Sequence, residues 1–124
     1  MGYMLKMKKN IAIVLAAGKG TRMGSEIPKQ FLHIHGKPVL YYSLHAFQEH
    51  EGIDEIILVI SDVYKEYCEL EILKKYNINK VVSIVEGGAQ RYDSVTAGLK
   101  ACTDCKYVLI HDGARPCVTK EIID

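Results

Sequence analysis

Four short apolar runs, and what separates them, decide what this chain can fold into. Ile11–Leu15, Glu55–Ile60, Lys80–Val85 and Tyr107–Ile110 are rich in Ile, Val and Leu and run on without a polar residue at every second place. Continuous runs of this kind belong to strands covered on both faces, whereas a strand wetted on one face alternates. Between the runs the period changes to that of a helix. One helix is expected from about Pro38 to His50, with Pro38 opening it, Leu40, Tyr41, Leu44 and Phe47 on one face, and Gly52 ending it. A second, capped by Asp62, is expected over Tyr64–Tyr76, and a third from about Gln90 to Ala101. Phe31–His35 reads as a short extended piece before a turn at Gly36-Lys-Pro38, and Thr119 is placed to cap a last helix. Strands that alternate with helices make a parallel sheet, and right-handed crossovers wind it into a three-layer α/β/α sandwich. In such sheets ligands bind beyond the carboxyl ends of the strands.

Length and composition narrow the partners. A chain of 124 residues with no linker, repeat or low-complexity stretch is expected to form a single domain. A formal net charge of +1 offers no basic footprint for nucleic acid. No apolar run is long enough to span a bilayer. The first residues are too few and too charged for a signal peptide, and Met7 is a natural start that would make residues 1–7 an extension. A cytoplasmic protein is the expectation. Cys102-Thr-Asp-Cys105 has the spacing of a redox pair or half a zinc site, but no second pair of ligands accompanies it. Cys68, Cys102, Cys105 and Cys117 therefore read as ordinary thiols.

Three loops follow the first, third and fourth runs, so the topology brings them to one edge of the sheet. The first is Ala16-Ala-Gly-Lys-Gly-Thr-Arg-Met-Gly24, continued by Pro28-Lys29-Gln30. A strand that enters a glycine-rich turn presents backbone N–H groups to a phosphate, and Lys19 and Arg22 add charge. Neither common nucleotide motif fits. No Lys-Ser/Thr follows a second glycine at P-loop spacing, and Gly18, Gly20 and Gly24 are spaced G-x-G-x-x-x-G rather than G-x-G-x-x-G. On its own such a loop is equally a tight strand-to-helix turn. The second loop is Gly87-Gly-Ala-Gln-Arg91 with Asp93 and Ser94, and the third is His111-Asp-Gly-Ala-Arg-Pro116.

Together these loops resemble the 2-C-methyl-D-erythritol 4-phosphate cytidylyltransferases of the non-mevalonate isoprenoid pathway, over essentially all of Lys8–Asp124. The A-A-G-x-G-x-R-M-G element is shared with many nucleotidyltransferases. P-K-Q, G-G-x-x-R-x-x-S and H-D-G-A-R-P in one chain are far more specific. The resemblance implies a mostly parallel, Rossmann-like nucleotidyltransferase sheet, and a reaction in which an alkyl phosphate attacks the α-phosphate of CTP and pyrophosphate leaves. Such a reaction needs fixed cations more than covalent chemistry.

Residue by residue, the resemblance makes Arg22 and Lys29 the catalytic cations, although a lone pair of solvated charges would look the same. Lys19 falls at a variable position of the motif and reads as solvated or as an accessory contact. Ala16, Ala17, Gly18, Gly88 and Ser94 match positions around the cytidine, with Gly20 in the same phosphate cradle; Ser94 could instead bond a carbonyl one turn back in its helix. Arg91 orders the second loop and ranks just behind Ser94 as a ligand contact. Asp112 matches a Mg²⁺ ligand, against the alternative of a turn cap, and Gly113, Ala114 and Arg115 match the side that takes the polyol phosphate. His111 is expected to be structural, and Asp93 to be a carboxylate at a helix start. Ala89 departs from the family, whose members often carry Asp there. The family is homodimeric through a β-arm, and its typical length is about double this one. The chain is thus expected to be the N-terminal half of the fold, cut short at its C-terminus, without the dimer arm and with weak CTP binding and little turnover alone. Ribitol-5-phosphate cytidylyltransferases share the glycine loop and P-K-Q, and a catalytically silent CTP-binding module is the rival from another class. H-D-G-A-R-P and Asp93-Ser-Val-Thr-Ala-Gly-Leu99 lean toward the isoprenoid enzymes.

Overall fold

The computed structural model describes residues 9–17, 28–88, 90–102 and 105–113. Its elements in chain order are strand β1 (Lys9–Ala16), a small hairpin of β2 (His33–Ile34) and β3 (Lys37–Pro38), helix α1 (Val39–Gln48), strand β4 (Glu55–Ile60), a helix α2 that begins as α over Lys65–Cys68 and widens to π over Glu69–Lys74, strand β5 (Val81–Glu86), helix α3 (Arg91–Ala101) and strand β6 (Cys105–Asp112). The last helix, expected after Thr119, lies outside the described residues.

The main sheet has the order β5-β4-β1-β6, and all of its pairings are parallel. The period-2 geometry of β1 divides the core. Ala12, Val14 and Ala16 face Leu40, Leu44 and Phe47 of α1 and Cys68 and Ile72 of α2. Ile11, Ile13 and Leu15 face the opposite side, where Val95 and Ala101 of α3 pack. β4 divides in the same way, with Ile56, Leu58 and Ile60 on the first face and Ile57 and Val59 on the second. Helices thus cover both faces, and the three-layer α/β/α sandwich with a parallel sheet expected from the sequence is present.

The chain runs outward from β1 through β4 to β5, then returns through α3 to pair β6 on the other side of β1. The direction of winding therefore reverses at β1, and the crevice beyond the carboxyl ends of β1 and β6 is the position where such sheets hold ligands.

Three details differ from the sequence reading. Gly36-Lys-Pro38 is part of a hairpin: His35 and Gly36 take φ of 54° and 80°, the two positive values of a tight type I′ turn between β2 and β3. Asp62 opens a 3₁₀ turn, Asp62–Tyr64, with no side-chain cap hydrogen bond, so it does not cap a helix. The helix that follows ends where expected, by a Schellman motif: Asn77 sits at φ 56° while the Ile78 amide donates to the Leu73 carbonyl at 2.8 Å. Finally, β5 and β6 are not buried throughout, because each borders the sheet among the described residues; Val82 and Tyr107 are exposed. Among the described residues no helix is long and apolar enough to cross a membrane.

Candidate active site

Parallel register brings the strand ends level. Leu15 pairs with Asp112, Ala16 with Ile60, and Ile60 with Glu86. β6 thus continues two residues beyond the expected end at Ile110, and His111 and Asp112 belong to the strand rather than to the loop after it. The Gly113 amide donates to the Leu15 carbonyl at 2.7 Å and fastens the start of the third loop to the end of β1. His111 turns inward, its Nε2 3.2 Å from the hydroxyl of the fully buried Ser43 and its ring edge-on to Phe47 at 5.5 Å. The structural role expected for His111 is what these contacts provide: they seat the strand that carries Asp112.

The second loop is shaped by close approach. A Cβ on Gly87 would lie 2.3 Å from the Ala17 Cβ and 2.6 Å from the Ser94 hydroxyl, and one on Gly88 would lie 2.2 Å from the Asp93 Cβ. Only glycine lets this loop lie against β1 and the start of α3. α3 opens with a capping box: the Gln90 side chain takes the Asp93 amide, and the Gln90 amide donates to the Asp93 carboxylate at 3.2 Å. Asp93 is therefore the helix-start carboxylate anticipated from the sequence.

Leu15, Ala17, Gly88, Gln90, Arg91, Ser94 and Asp112 line one cleft of about 200 Å³ at this edge. Residues nominated from three separate loops meet there. Ser94 is buried in its wall, while Arg91 and Asp112 are exposed at its rim. Ala16 and Gly113 do not line it: Ala16 packs on the α1 side of the sheet, and Gly113 lies buried against Leu40. Lys29 does not line it either. It projects, exposed, from a 3₁₀ turn, Lys29–Phe31, whose other members are buried. Gly18, Lys19, Gly20, Arg22, Ala89, Ala114 and Arg115 lie outside the described residues. Sequence reasoning passed over Gln90, which lines the cleft, and gave Gln30 no role. Gln30 lies 4% exposed and donates to the Ala16 carbonyl at 2.6 Å. Its signal was available, since it stands in the P-K-Q motif, but a glutamine carries no charge to draw attention.

An oxygen donor such as the Asp112 carboxylate is of the kind that suits a hard cation such as Mg²⁺. Among the described residues no three His, Cys, Asp or Glu side chains cluster to form a protein cage. Mg²⁺ needs none: it is bound by one or two carboxylates, with water and substrate phosphates completing six oxygens. Asp112, an exposed carboxylate on the rim, suits that arrangement.

The family model for 2-C-methyl-D-erythritol 4-phosphate cytidylyltransferase matches residues 10–124. The chain belongs to this family. It is 58% identical over 119 residues to the enzyme of that name from Clostridium botulinum (strain 657 / Type Ba4), covering 95% of this chain and 52% of the relative. It is 55% identical over 115 residues to the one from Lachnospira eligens, covering 93% of this chain and 50% of the relative. Among solved structures, it superimposes on the 4-diphosphocytidyl-2C-methyl-D-erythritol synthase of Anaerococcus prevotii with a TM-score of 0.76 at 35% identity, over 94% of this chain and 48% of that one. The Francisella tularensis cytidylyltransferase gives 0.69 at 30% identity, over 94% and 49%. The chain thus spans about half the length of the curated relatives it matches. Membership agrees with the parallel sheet, and the relatives are cytidylyltransferases by name.

Proposed function

We propose that this chain carries the CTP-binding half of a cytidylyl transfer site, acting in the transfer of CMP from CTP to 2-C-methyl-D-erythritol 4-phosphate in isoprenoid precursor synthesis. The observation that carries this reading is the convergence of Ala17, Gly88, Ser94 and Asp112 on one cleft at the carboxyl ends of β1 and β6. The small residues Ala17 and Gly88 admit a base close to the backbone, and the Ser94 hydroxyl in the cleft wall is assigned to the base edge. Gly18 and Gly20 are assigned to the triphosphate, and Arg91 to ordering the second loop.

The chemistry asks little of a proton acceptor. The phosphate of the polyol is already anionic at neutral pH, so its oxygen attacks the α-phosphorus directly. One P–O bond forms to that oxygen as the bond to the β-phosphate oxygen breaks, and pyrophosphate leaves with the electron pair. Two anions must approach, so fixed positive charge lowers the barrier, which is the role assigned to Arg22 and Lys29. Asp112 would hold Mg²⁺, which when bound neutralises phosphate charge. Gly113, Ala114 and Arg115 are the residues assigned to the polyol phosphate. Cytoplasmic placement and pairing of full-length copies belong to the same reading.

The test is incorporation of label from α-³²P CTP into a cytidine diphosphate polyol. The chain is assayed alone and joined to the second half of the Clostridium botulinum relative, with methylerythritol phosphate and ribitol 5-phosphate offered in parallel. Transfer to methylerythritol phosphate in preference to ribitol phosphate is expected in the joined form. Preference for ribitol phosphate would move the substrate assignment to the other cytidylyltransferases. CTP binding with no transfer in either form would leave a silent nucleotide-binding module in place of an enzyme.

A further inference from the structure

The turn that carries Lys29 is seated on its neighbours. Pro28 is buried with φ −57° and ψ 148°, which starts the turn in an extended conformation. Phe31 is 4% exposed and packs its ring on Tyr64 at 4.5 Å and on Tyr67 at 5.4 Å. Between them Lys29 projects, and beside it the Gln30 side chain turns back into the protein and donates to the Ala16 carbonyl at 2.6 Å. Ala16 is the last residue of β1, and the glycine loop starts directly after it. This hydrogen bond ties the turn bearing the cation to the carboxyl end of β1.

A buried amide is not needed merely to fill this space. An apolar side chain of the same size is cheaper to bury, because it leaves no polar group to be satisfied. What the amide adds is direction: a short, buried hydrogen bond fixes the turn along the strand, where packing alone tolerates sliding. We propose that Gln30 is a positioning residue for cytidylyl transfer, fastening the Lys29 turn to the carboxyl end of β1 so that the ammonium group meets the reacting phosphates. This rests on the reading of Lys29 as a catalytic cation.

Two measurements test it, the first independent of activity. Gln30→Met keeps the bulk of the side chain and removes the donor. Hydrogen exchange is followed at the amides of Phe31 and Leu32, which bond the Pro28 and Lys29 carbonyls within the turn, and at Ile13 in the core strand. Loss of protection at Phe31 and Leu32 with Ile13 unchanged is expected. Equal protection in both proteins would overturn the fastening, whatever the protein catalyses.

The second measurement is a double-mutant cycle on kcat and on KM for CTP, in the form that transfers label in the assay above. Gln30→Met is expected to lower kcat about tenfold or more, with KM changed less than about threefold, and to have almost no effect when Lys29 is already Ala. Equal losses with and without Lys29 would make Gln30 a purely structural residue and overturn the proposal. Gln30→Glu, which sets a carboxylate against the Ala16 carbonyl, is expected to behave like Gln30→Met; full activity in that variant would also contradict the hydrogen bond's role. If Lys29→Ala itself leaves kcat unchanged, the reading of Lys29 has failed, and the exchange experiment still reports separately on the fastening.

Discussion

Gly98 lies in the middle of α3, where helix propensity and packing give opposite predictions. A Cβ at Gly98 would lie 2.6 Å from the Ile13 Cγ2 and 3.2 Å from the Val59 Cγ2. Carbon atoms in contact prefer roughly 3.5–4.0 Å, so the first contact is short by about 1 Å. Ile13 and Val59 are both 0% exposed, β-branched and on central strands, so neither can give way by a simple rotamer change. Gly→Ala in a helix interior is worth about 1 kcal/mol of stabilisation by propensity alone. Overpacking a full core costs about 1–3 kcal/mol. The two terms leave Gly98→Ala destabilised by roughly 0–2 kcal/mol, and Gly98→Val, with two more methyl groups, by more than about 3 kcal/mol. Urea unfolding, with an unchanged slope, measures both. A gain of about 1 kcal/mol in Gly98→Ala would follow from propensity alone. It would refute the close seating of α3 on β1 and β4, and with it the placement of Arg91 and Ser94.

Other consequences follow from the same structure. Lys80 donates to the Phe47, His50 and Ile53 carbonyls at 3.4, 2.8 and 2.7 Å, tying the end of α1 to the start of β4. Lys80→Met is expected to cost about 2–3 kcal/mol in unfolding free energy; a cost near zero would show that water replaces the ammonium freely. The fully buried Cys68 thiol is pushed up to about 12 by burial, with Glu69 adding to the shift. Its raised folded-state pKa leaves its contribution to stability intact below the ordinary value of 9.0 and erodes it as pH climbs from there toward about 12. Wild type and Cys68→Ala should therefore converge in stability above pH 9, and iodoacetamide should reach Cys68 at pH 8 only at the rate of unfolding. Arg22→Ala and Lys29→Ala are each expected to lower transfer by about 10²-fold or more with modest changes in CTP affinity. Loss of affinity with unchanged kcat would make them binding groups instead.

Much of this arrangement is legible in the residues because the relevant signals are local. The Ile and Leu runs at 11–15 and 55–60 are central strands, and their continuity reports burial on two faces. Tyr107–Ile110 was legible as a strand, but neither its extension through Asp112 nor its exposure was. Both depend on pairing with β1 in register and on lying at the border of the sheet among the described residues, which are long-range facts. The π turns at Glu69–Lys74 left no mark on a period of 3.6, since Cys68 and Ile72 face inward under either winding. In the site, Asp93 was readable because a carboxylate three residues after a helix start has a local meaning. Gln30, Ser43 and Lys80 act across 14, 68 and about 30 positions of chain, and no spacing rule connects them to their partners.

The central claim is that CTP lies across the carboxyl ends of β1 and β6. Titration of the ¹⁵N-labelled chain with CTP and Mg²⁺, followed by amide chemical shifts, tests it most directly. The account predicts saturable shifts concentrated at Ala16, Ala17, Gly88, Arg91, Ser94, Asp112 and Gly113, with the amino ends of the strands, at Lys9 and Glu55, unmoved. Shifts centred on any other part of the fold, or no saturation at millimolar CTP, would contradict it.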